Sequence, residues 1–298
     1  MPSLVILAAG MGSRYGGLKQ LDPMGPNGET VLDYSVFDAI RAGFDQVIFV
    51  IREDFAEAFK EGIGSRFASR VRVDYAFQRL DDLPAPYFSP TDRVRPWGTG
   101  HAIRAARFLI KNPFAVINAD DFYGRDAYVI AYDFLRQNLD TDCGLVAYPL
   151  VNTLSDHGKV NRGICEASPD GWLEGVEELL NIALDDSGKI TGTRLDGEVR
   201  IIPPEAPASM NFWAFSPAFL IGLESEFLRF LSEYGDRTSG ECYIPSIVDS
   251  LIRNGEARCK MLQTSASWFG VTYPEDKPHV VTSIQNLIAK GDYPGRLE

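Results

Sequence analysis

Glycines and two cations follow the first apolar run of the chain at a spacing that could bind a phosphate. The run 4–7 (LVIL) leads into AAGMGSR, which contains Gly10, Gly12 and Arg14, and Lys19 follows. Glycines let a backbone turn sharply and let its N–H groups approach an anion. Arg14 and Lys19 would add two positive charges beside that turn. The stretch therefore predicts an anion-binding loop after a buried strand.

Two common phosphate motifs do not fit this loop. A dinucleotide fingerprint has the spacing G-x-G-x-x-G, but Tyr15 stands at its third glycine position. A P-loop needs a G-K-[ST] sequence, and the chain contains none. A different phosphate-binding motif is required.

Residues 7–14 resemble the signature L-A-A-G-x-G-[ST]-R of the sugar-1-phosphate nucleotidyltransferases. In glucose-1-phosphate thymidylyltransferases and their relatives a lysine follows within K-Q-L, which matches Lys19 here. The resemblance implies an Mg²⁺-dependent enzyme that joins a nucleoside triphosphate to a sugar 1-phosphate and releases pyrophosphate. It implies catalytic roles for Arg14 and Lys19. The nucleotide contacts that it implies in this stretch are Leu7, Ala8, Ala9, Gly10, Gly12 and Ser13.

The composition and net charge of the chain limit the classes of molecule that it is expected to bind. The chain has 298 residues, is 45% hydrophobic and carries a formal charge of −12. So acidic a surface repels nucleic acid and anionic lipid, and we expect neither as a partner. Apolar runs are too short for a membrane span. The four cysteines are widely spaced without a C-x-x-C, and they indicate neither a zinc site nor a disulfide framework. We expect a cytoplasmic protein and leave a homo-oligomer open.

Apolar periodicity predicts a parallel sheet. A helix is expected over 31–42 and a strand over 47–51, which with 4–7 forms a β-loop-α-β unit. The predicted fold is α/β, with a doubly wound, mostly parallel Rossmann-like sheet. A nucleotide-binding half, 1–150, would precede a mixed sugar-phosphate-binding half, 151–298, and the two could form one continuous domain.

Further elements follow from the same patterns. The predicted helices are 54–60, 101–110, 126–138, 217–234, 243–255 and 283–290. The predicted strands are 71–77, 115–118, 144–148, 209–215, 258–263 and 268–273.

Acidic residues follow the strand predicted at 115–118. Ligands of open parallel sheets bind at the carboxyl ends of strands, and Mg²⁺ is usually held by one or two carboxylates plus phosphates. The segment INADDFYG resembles the family's L-G-D-x-x-F-Y-G, whose aspartate binds the metal. We therefore expect Asp120 as a catalytic residue and the Mg²⁺ ligand, with Asp121 assisting or capping the next turn.

Gln78 and the Gly98–Thr99 turn are expected to read the base. An amide offers both a donor and an acceptor to a base edge, and relatives carry a similar Q…G arrangement. Here an insert, 79–97, separates the two parts and could act as a lid or bind a partner. Thr99 is the predicted N-cap of the following helix. His101 is expected to be structural or a phosphate contact and not a catalytic base, because an anionic sugar phosphate needs no base.

Three residues of the second half are expected to contact the sugar. VNRGICE, GVEELLNI and SMNFWAF resemble family segments that line the sugar and place Gly163, Glu178 and Asn211 there. Asn211 stands where relatives carry glycine, and the Lys-Pro that follows the family's glutamate is absent after Glu178.

One departure concerns the metal. Relatives carry a second ligand in a W-x-D-x-G segment, but Gly270 stands at the aspartate position here. Asp276 could reach the site, Thr272 could ligate through water, or Asp120 and the triphosphate could suffice. Two other functions stay open: a cytidylyltransferase for a non-sugar phosphate, and a non-catalytic nucleotide-sugar sensor.

Overall fold

The computed structural model describes residues 1–10, 22–137, 139–155, 158–185, 187–270 and 274–297. The predicted roles of five residues lie outside these ranges: Gly12, Ser13, Arg14, Lys19 and Thr272.

Eleven strands of the described residues form one sheet, in the order β10-β9-β8-β7-β11-β4-β1-β2-β3, with β6 and β12 joined through β11. A separate two-stranded ladder pairs β5 with β13. The strands are β1 (Ser3–Leu7), β2 (Gln46–Ile51), β3 (Arg72–Phe77), β4 (Phe114–Asn118), β5 (Asp121–Phe122), β6 (Cys143–Pro149), β7 (Val160–Ala167), β8 (Leu173–Leu184), β9 (Ile190–Thr193), β10 (Val199–Ile202), β11 (Pro207–Phe215), β12 (Cys259–Gln263) and β13 (Phe269–Gly270).

The centre of the sheet is parallel. Strands β4, β1, β2 and β3 all run in one direction. The near-continuous apolar runs of β4, β1 and β2 are buried because helices cover both faces, whereas β3, at the edge of the sheet, is mostly half-buried. Strand β11 is antiparallel to β4, and β7 to β10 continue as an antiparallel series. The predicted α/β fold with a mixed second half is confirmed. One sheet crosses residue 150, and the division there stays a prediction.

The helices lie between the strands in chain order. They are α1 (Val31–Ala42), α2 (Ala56–Phe59), α3 (Ser65–Phe67), α4 (Thr99–Ala105), α5 (Arg125–Leu135), α6 (Phe219–Tyr234), α7 (Ile244–Arg253) and α8 (Lys277–Ala289). Two apolar cores cover the sheet, with α1 and α5 in one and α4, α6 and α7 in the other. No helix of the described residues is both long and apolar enough to cross a membrane.

Some boundaries differ from the predictions. The helix expected at 54–60 is part of an irregular stretch in which a 3₁₀ turn (Glu53–Phe55) and a π turn (Lys60–Gly64) flank α2. The last helix begins at Lys277, six residues before the predicted start at 283, with Pro278 in its first turn. The strand predicted at 268–273 is described only as β13.

The prediction that Thr99 caps its own helix is wrong. Helix α4 begins at Thr99 itself, and Gly98 precedes it without a side-chain cap. The Thr99 hydroxyl accepts a hydrogen bond from the backbone N–H of Ile244 at 3.0 Å. It therefore satisfies one of the free N–H groups at the start of α7, a helix distant in sequence.

Candidate active site

The ends of β1 and β4 meet at the centre of the carboxyl edge. Leu7 pairs with Asn118, and the N–H of Ala119 donates to Leu7 O at 3.2 Å. Ala8 and Ala9 are buried, whereas Gly10 is exposed. This pairing places the start of the predicted anion loop beside the acidic residues that follow β4.

The two aspartates differ in their surroundings. Asp120 lies half-buried in the turn after β4. Asp121 begins β5, and its Oδ2 lies 3.0 Å from the donor Asn118 Nδ2 and 3.2 Å from the hydroxyl of Tyr123. Tyr123 is fully buried, and this burial raises the pKa of its phenol well above the ordinary value. Its hydroxyl therefore stays protonated, and its single proton has two acceptors, Asp121 Oδ2 and Met210 O, which lies 3.0 Å away.

A directed chain of amides holds Asp121. Trp213 Nε1–H, which can only donate, lies 2.8 Å from Asn211 Oδ1. Asn211 Nδ2 therefore faces Asn118, and it donates to Asn118 Oδ1 at 2.8 Å. Asn118 Nδ2 is left to donate to Asp121. The indole proton thus fixes the orientation of both amides, and the chain ends on a carboxylate.

Asn211 takes part in this series of hydrogen bonds with a backbone conformation that few residues adopt. Its φ is 61°, in the left-handed region where glycine is favoured and asparagine is tolerated. This conformation accounts for an asparagine at a position where relatives carry glycine. These two hydrogen bonds use one of the two Nδ2 protons and one of the two lone pairs on Oδ1, so the amide keeps one donor and one acceptor that a sugar hydroxyl could contact.

Gly163 and Glu178, two of the predicted sugar contacts, face each other across neighbouring strands. They pair across β7 and β8, and a Cβ built at Gly163 would lie 3.6 Å from Glu178 Oε2 and 2.7 Å from Val176 Cγ1. Glu178 is exposed to solvent. Desolvation by the surrounding strands nevertheless raises the pKa of its carboxyl, and the charge of Arg162 opposes that rise.

Arg162 is a cation that the sequence analysis did not single out. Its guanidinium donates to Thr153 O at 2.6 Å and Asn161 O at 2.9 Å, and it lies 4.9 Å from the Trp268 ring centre. Its Nε is buried without a hydrogen-bond partner in the described residues. Burial lowers the pKa of Arg162, and the charges of Asp121 and Glu178 oppose this shift. Arg162 is therefore close enough to both Asp121 and Glu178 for its charge to interact with theirs.

Gly270 lies directly against Asp121. The two residues pair across β5 and β13, and a Cβ at Gly270 would lie 2.6 Å from Asp121 Oδ1. An aspartate at 270 would therefore displace Asp121. The described residues contain no cluster of three or more metal-ligating side chains. Asp120 and Asp121 fit the one or two carboxylates, completed by phosphate oxygens, with which Mg²⁺ is usually bound.

A cavity of about 740 Å³ opens beside Arg162, between the start of β7 and α8. Trp268, Gly270 and Asp276 line it together with basic residues of β7 and α8. Gly163, Glu178 and Asn211 are not among its lining residues. The cavity therefore flanks the predicted sugar contacts instead of containing them.

The predicted base-reading parts are brought together. Gln78 follows β3, and its Nε2 donates to Gly98 O at 3.0 Å. Gly98 has a φ of 97°, and a Cβ there would lie 2.5 Å from Cys242 O. Only glycine fits this turn, because any side chain would meet both a strained backbone and the neighbouring carbonyl.

Of the two roles expected for His101, its surroundings favour the structural one. It is fully buried, and burial lowers the pKa of its imidazole to about 4. Its ring stacks on Phe227 at 5.2 Å and contacts Gln78 and Asp82 through its two nitrogens. A neutral, enclosed imidazole of this kind cannot exchange protons with a substrate.

The 79–97 insert is fixed to the protein at both ends. Near its start, the carboxylate of Asp82 accepts hydrogen bonds from Arg104 and Arg107. Near its end, the buried Arg93 donates to four carbonyls and lies 3.4 Å over the Trp97 ring. The insert is therefore a packed strap, and Phe88 at its middle is 85% exposed.

Comparisons with known proteins place the fold. Residues 4–77 match the model of the MobA-like NTP transferase domain. No curated protein matches the chain by sequence. A structure from Bacillus anthracis, assigned as a glucose-1-phosphate thymidylyltransferase and bound to sucrose, has a TM-score of 0.62 at 13% identity and covers 96% of both chains.

Two further solved structures share the fold. A UDP-glucose pyrophosphorylase bound to UDP-glucose has a TM-score of 0.61 at 16% identity, over 96% of this chain and 99% of its own. The inositol-1-phosphate CTP transferase of T. maritima has a TM-score of 0.60 at 11% identity, over 96% of both chains. The domain match and the shared fold agree with the predicted enzyme class, nucleotidyltransferase.

Proposed function

We propose that this chain, with its NTP transferase domain at 4–77, joins a nucleoside triphosphate to a sugar 1-phosphate and releases pyrophosphate. The observation that carries the proposal is the arrangement of one edge of the sheet. The start of the glycine loop and the Asp120–Asp121 pair follow β1 and β4, which pair with each other. The Gly163–Glu178 pair lies within β7 and β8, and β11 joins β7 to β4. An anion site therefore lies between a base side and a sugar side.

In the proposed reaction an oxygen of the sugar phosphate attacks the α-phosphorus in line. A bond forms between that oxygen and the α-phosphorus, and the bond to the pyrophosphate oxygen breaks. Arg14 contacts the leaving pyrophosphate, and Lys19 bridges the α-phosphate and the incoming phosphate. The incoming oxygen is already anionic, so the protein supplies position and charge and requires neither a base nor a covalent intermediate.

Asp120 would hold Mg²⁺ together with phosphate oxygens, and the bound ion would polarise the α-phosphate. Asp121, held by Asn118 and Tyr123, keeps a second carboxylate beside it. On the sugar side Gly163 would contact the sugar through its backbone, and Glu178 would accept hydrogen bonds from sugar hydroxyls. We also propose that the reaction contributes to nucleotide-sugar synthesis in the cytoplasm.

Two other candidate functions are each favoured by one observation. The shared fold of an inositol-1-phosphate CTP transferase favours a non-sugar acceptor as the second reaction. Gly270, at the position of the second metal ligand in relatives, favours a sensor that binds a nucleotide sugar without turnover. Both candidates would use the same nucleotide site as the proposed enzyme. The first would have a different acceptor, and the second would carry out no reaction.

The experiment is a matrix of pyrophosphate release. Each common nucleoside triphosphate is paired, with Mg²⁺, with a pool of sugar 1-phosphates and separately with inositol 1-phosphate. Release confined to one nucleotide with sugar phosphates supports the proposal. Release only with inositol 1-phosphate favours the second reaction. Nucleotide binding by calorimetry without release from any pair favours the sensor.

A further inference from the structure

We propose that His101 is a positioning residue that fixes the amide of Gln78 with only its oxygen towards the ligand, so that the site prefers bases with a ring N–H. These bases are uracil, thymine and guanine. The inference rests on the proposed function for its ligand, because Gln78 reads a base only if a nucleotide binds at this edge. The orientation itself depends on contacts within the protein.

Two backbone carbonyls, which can only accept, determine the position of each proton in the hydrogen bonds that connect Gly98, Gln78, His101 and Asp82. Gly98 O can only accept, so the Gln78 atom 3.0 Å from it is Nε2. The same Nε2 lies 3.2 Å from His101 Nδ1, which must then be the unprotonated nitrogen of the ring. The other nitrogen, Nε2, carries the proton and donates to Asp82 O at 3.0 Å. All three hydrogen bonds are satisfied by a single arrangement.

This arrangement uses both amide protons of Gln78. One is donated to Gly98 O and the other to His101 Nδ1. No described residue donates to Gln78 Oε1, and the side chain is half-buried. Oε1 is therefore the group that Gln78 can offer a ligand, and it can only accept a hydrogen bond.

The surroundings hold His101 in this state. Its ring is 0% exposed and stacks on Phe227. Arg104 donates to the same Asp82 carbonyl at 2.8 Å, and its charge, like that of Arg107, opposes protonation of the imidazole. Burial lowers the pKa of His101 to about 4, so the ring stays neutral at physiological pH. The charge of Asp82 favours protonation but does not offset burial.

The consequence for the base follows from donor and acceptor chemistry. Uracil and thymine carry a proton on N3, and guanine carries one on N1, so each can donate to Oε1. Cytosine and adenine carry a lone pair on the corresponding ring nitrogen, which repels Oε1. They could donate only through an exocyclic amino group, which requires the base to shift in the site. An amide free to turn would accept either kind of base, as asparagine and glutamine carry both groups.

The test compares two replacements of His101 in the full-length protein. His101→Asn keeps an acceptor near the position of Nδ1, and His101→Leu removes it. Binding of UTP, dTTP, GTP, CTP and ATP is measured by calorimetry. We expect the wild type to bind a ring N–H triphosphate roughly tenfold or more tighter than CTP, the effect of a mismatched hydrogen bond. His101→Asn should keep this ratio and His101→Leu should bring it towards one.

Phe227→Leu is the matched control. It changes the packing on the His101 ring without touching the hydrogen bonds. We expect a less stable protein with an unchanged ratio. An equal loss of discrimination in Phe227→Leu and His101→Leu would show that packing is responsible and would overturn the positioning role.

Nuclear magnetic resonance gives a readout that needs no ligand. With three histidines in the chain, nitrogen-15 labelling resolves His101, and we expect an unprotonated Nδ1 and a protonated Nε2. The two Gln78 amide protons, assigned by their loss in Gln78→Leu, should exchange slowly and one should exchange faster in His101→Leu. The opposite tautomer would overturn the inference. If no nucleotide bound, the proposed function and the base preference would both fail, while these signals would still decide the orientation.

Discussion

Asp121 and Gly270 face each other across the β5–β13 ladder, and Asp121 Oδ1 would lie only 2.6 Å from a Cβ at Gly270. The same Cβ would lie 2.9 Å from Trp268 Cζ2. The chain therefore has a carboxylate from the opposite strand in the space that a side chain at 270 would need. Gly270 stands where relatives carry the second metal ligand, and the carboxylate of Asp121 lies against it.

Gly270→Ala should disrupt this pair. Either Asp121 or Trp268 must move, and we expect a loss of about 1–3 kcal/mol in the free energy of unfolding. Urea denaturation measures it. Gly175→Ala on β8 is the control, because no described atom lies within 4 Å of a Cβ there. Equal stability of the two variants would contradict the close approach.

The chain from Trp213 to Asp121 predicts a difference between two replacements of Asn211. Asn211→Ala leaves the buried Trp213 Nε1 without a partner and keeps a φ of 61° that alanine disfavours. We expect it to cost about 2–4 kcal/mol, and Asn211→Gly about 1 kcal/mol less because glycine relieves the strain. Thermal unfolding of the pair measures both. An alanine variant as stable as the glycine variant would show that the backbone at 211 is not strained.

Lys19 lies outside the described residues, and its role is tested by turnover. Under the proposed mechanism it neutralises charge between the two reacting phosphates. Lys19→Ala should lower kcat by on the order of 10²–10³, the usual effect of one group that stabilises developing charge. Lys111→Ala, at an exposed lysine before β4, is the control. Full activity of Lys19→Ala would exclude the role.

Asp120 is tested by the response to metal. Asp120→Asn should abolish most turnover and weaken the apparent affinity for Mg²⁺, because an amide binds this ion less well than a carboxylate. A magnesium titration of activity, together with calorimetry of Mg²⁺–nucleotide binding, measures the change. Asp92→Asn, at an exposed position of the insert, serves as the comparison. An unchanged titration would exclude Asp120 as the ligand.

Asp38 predicts a pH dependence of stability. It is 1% exposed, and burial raises the pKa of its carboxyl to about 7, against the hydrogen bond from Tyr293 and the charge of Arg41. The folded protein therefore binds a proton that the unfolded chain releases near pH 4. The stability from this group is complete below that pH and is lost as the pH rises through about 7.

Asp38→Asn removes this dependence. The variant should gain stability relative to wild type between pH 4 and pH 8, by up to about 4 kcal/mol. Urea unfolding at several pH values measures the difference. The exposed Asp133→Asn on α5 should show no such trend. A constant difference between Asp38→Asn and wild type would contradict the raised pKa.

The sequence predicted what local patterns determine. The runs at 4–7, 47–51 and 115–118 became the parallel centre of the sheet because strands buried on both faces are continuously apolar. Gln78 and Gly98 were predicted to act together from the resemblance to a Q…G arrangement in relatives, and they share a hydrogen bond across the insert. The glycine-rich turn likewise predicted the class to which residues 4–77 match.

What escaped prediction depends on contacts between distant residues. Asn211 meets Asn118 across 93 positions, and Thr99 caps Ile244 across 145. Arg162 was overlooked because a lone arginine beside Gly163 carries no pattern, and only folding brings it near Asp121 and Glu178. Such pairings are set by strand order and register, which a single sequence does not specify.

Phosphorus-31 magnetic resonance can identify the products of a single reaction and so test whether the protein transfers a nucleotidyl group to a sugar phosphate. The wild-type protein is incubated with Mg²⁺, the best triphosphate from the matrix and its sugar 1-phosphate. We expect one nucleoside diphosphate sugar and one pyrophosphate for every triphosphate consumed. Nucleoside monophosphate with pyrophosphate, or bound triphosphate that stays intact, would contradict it.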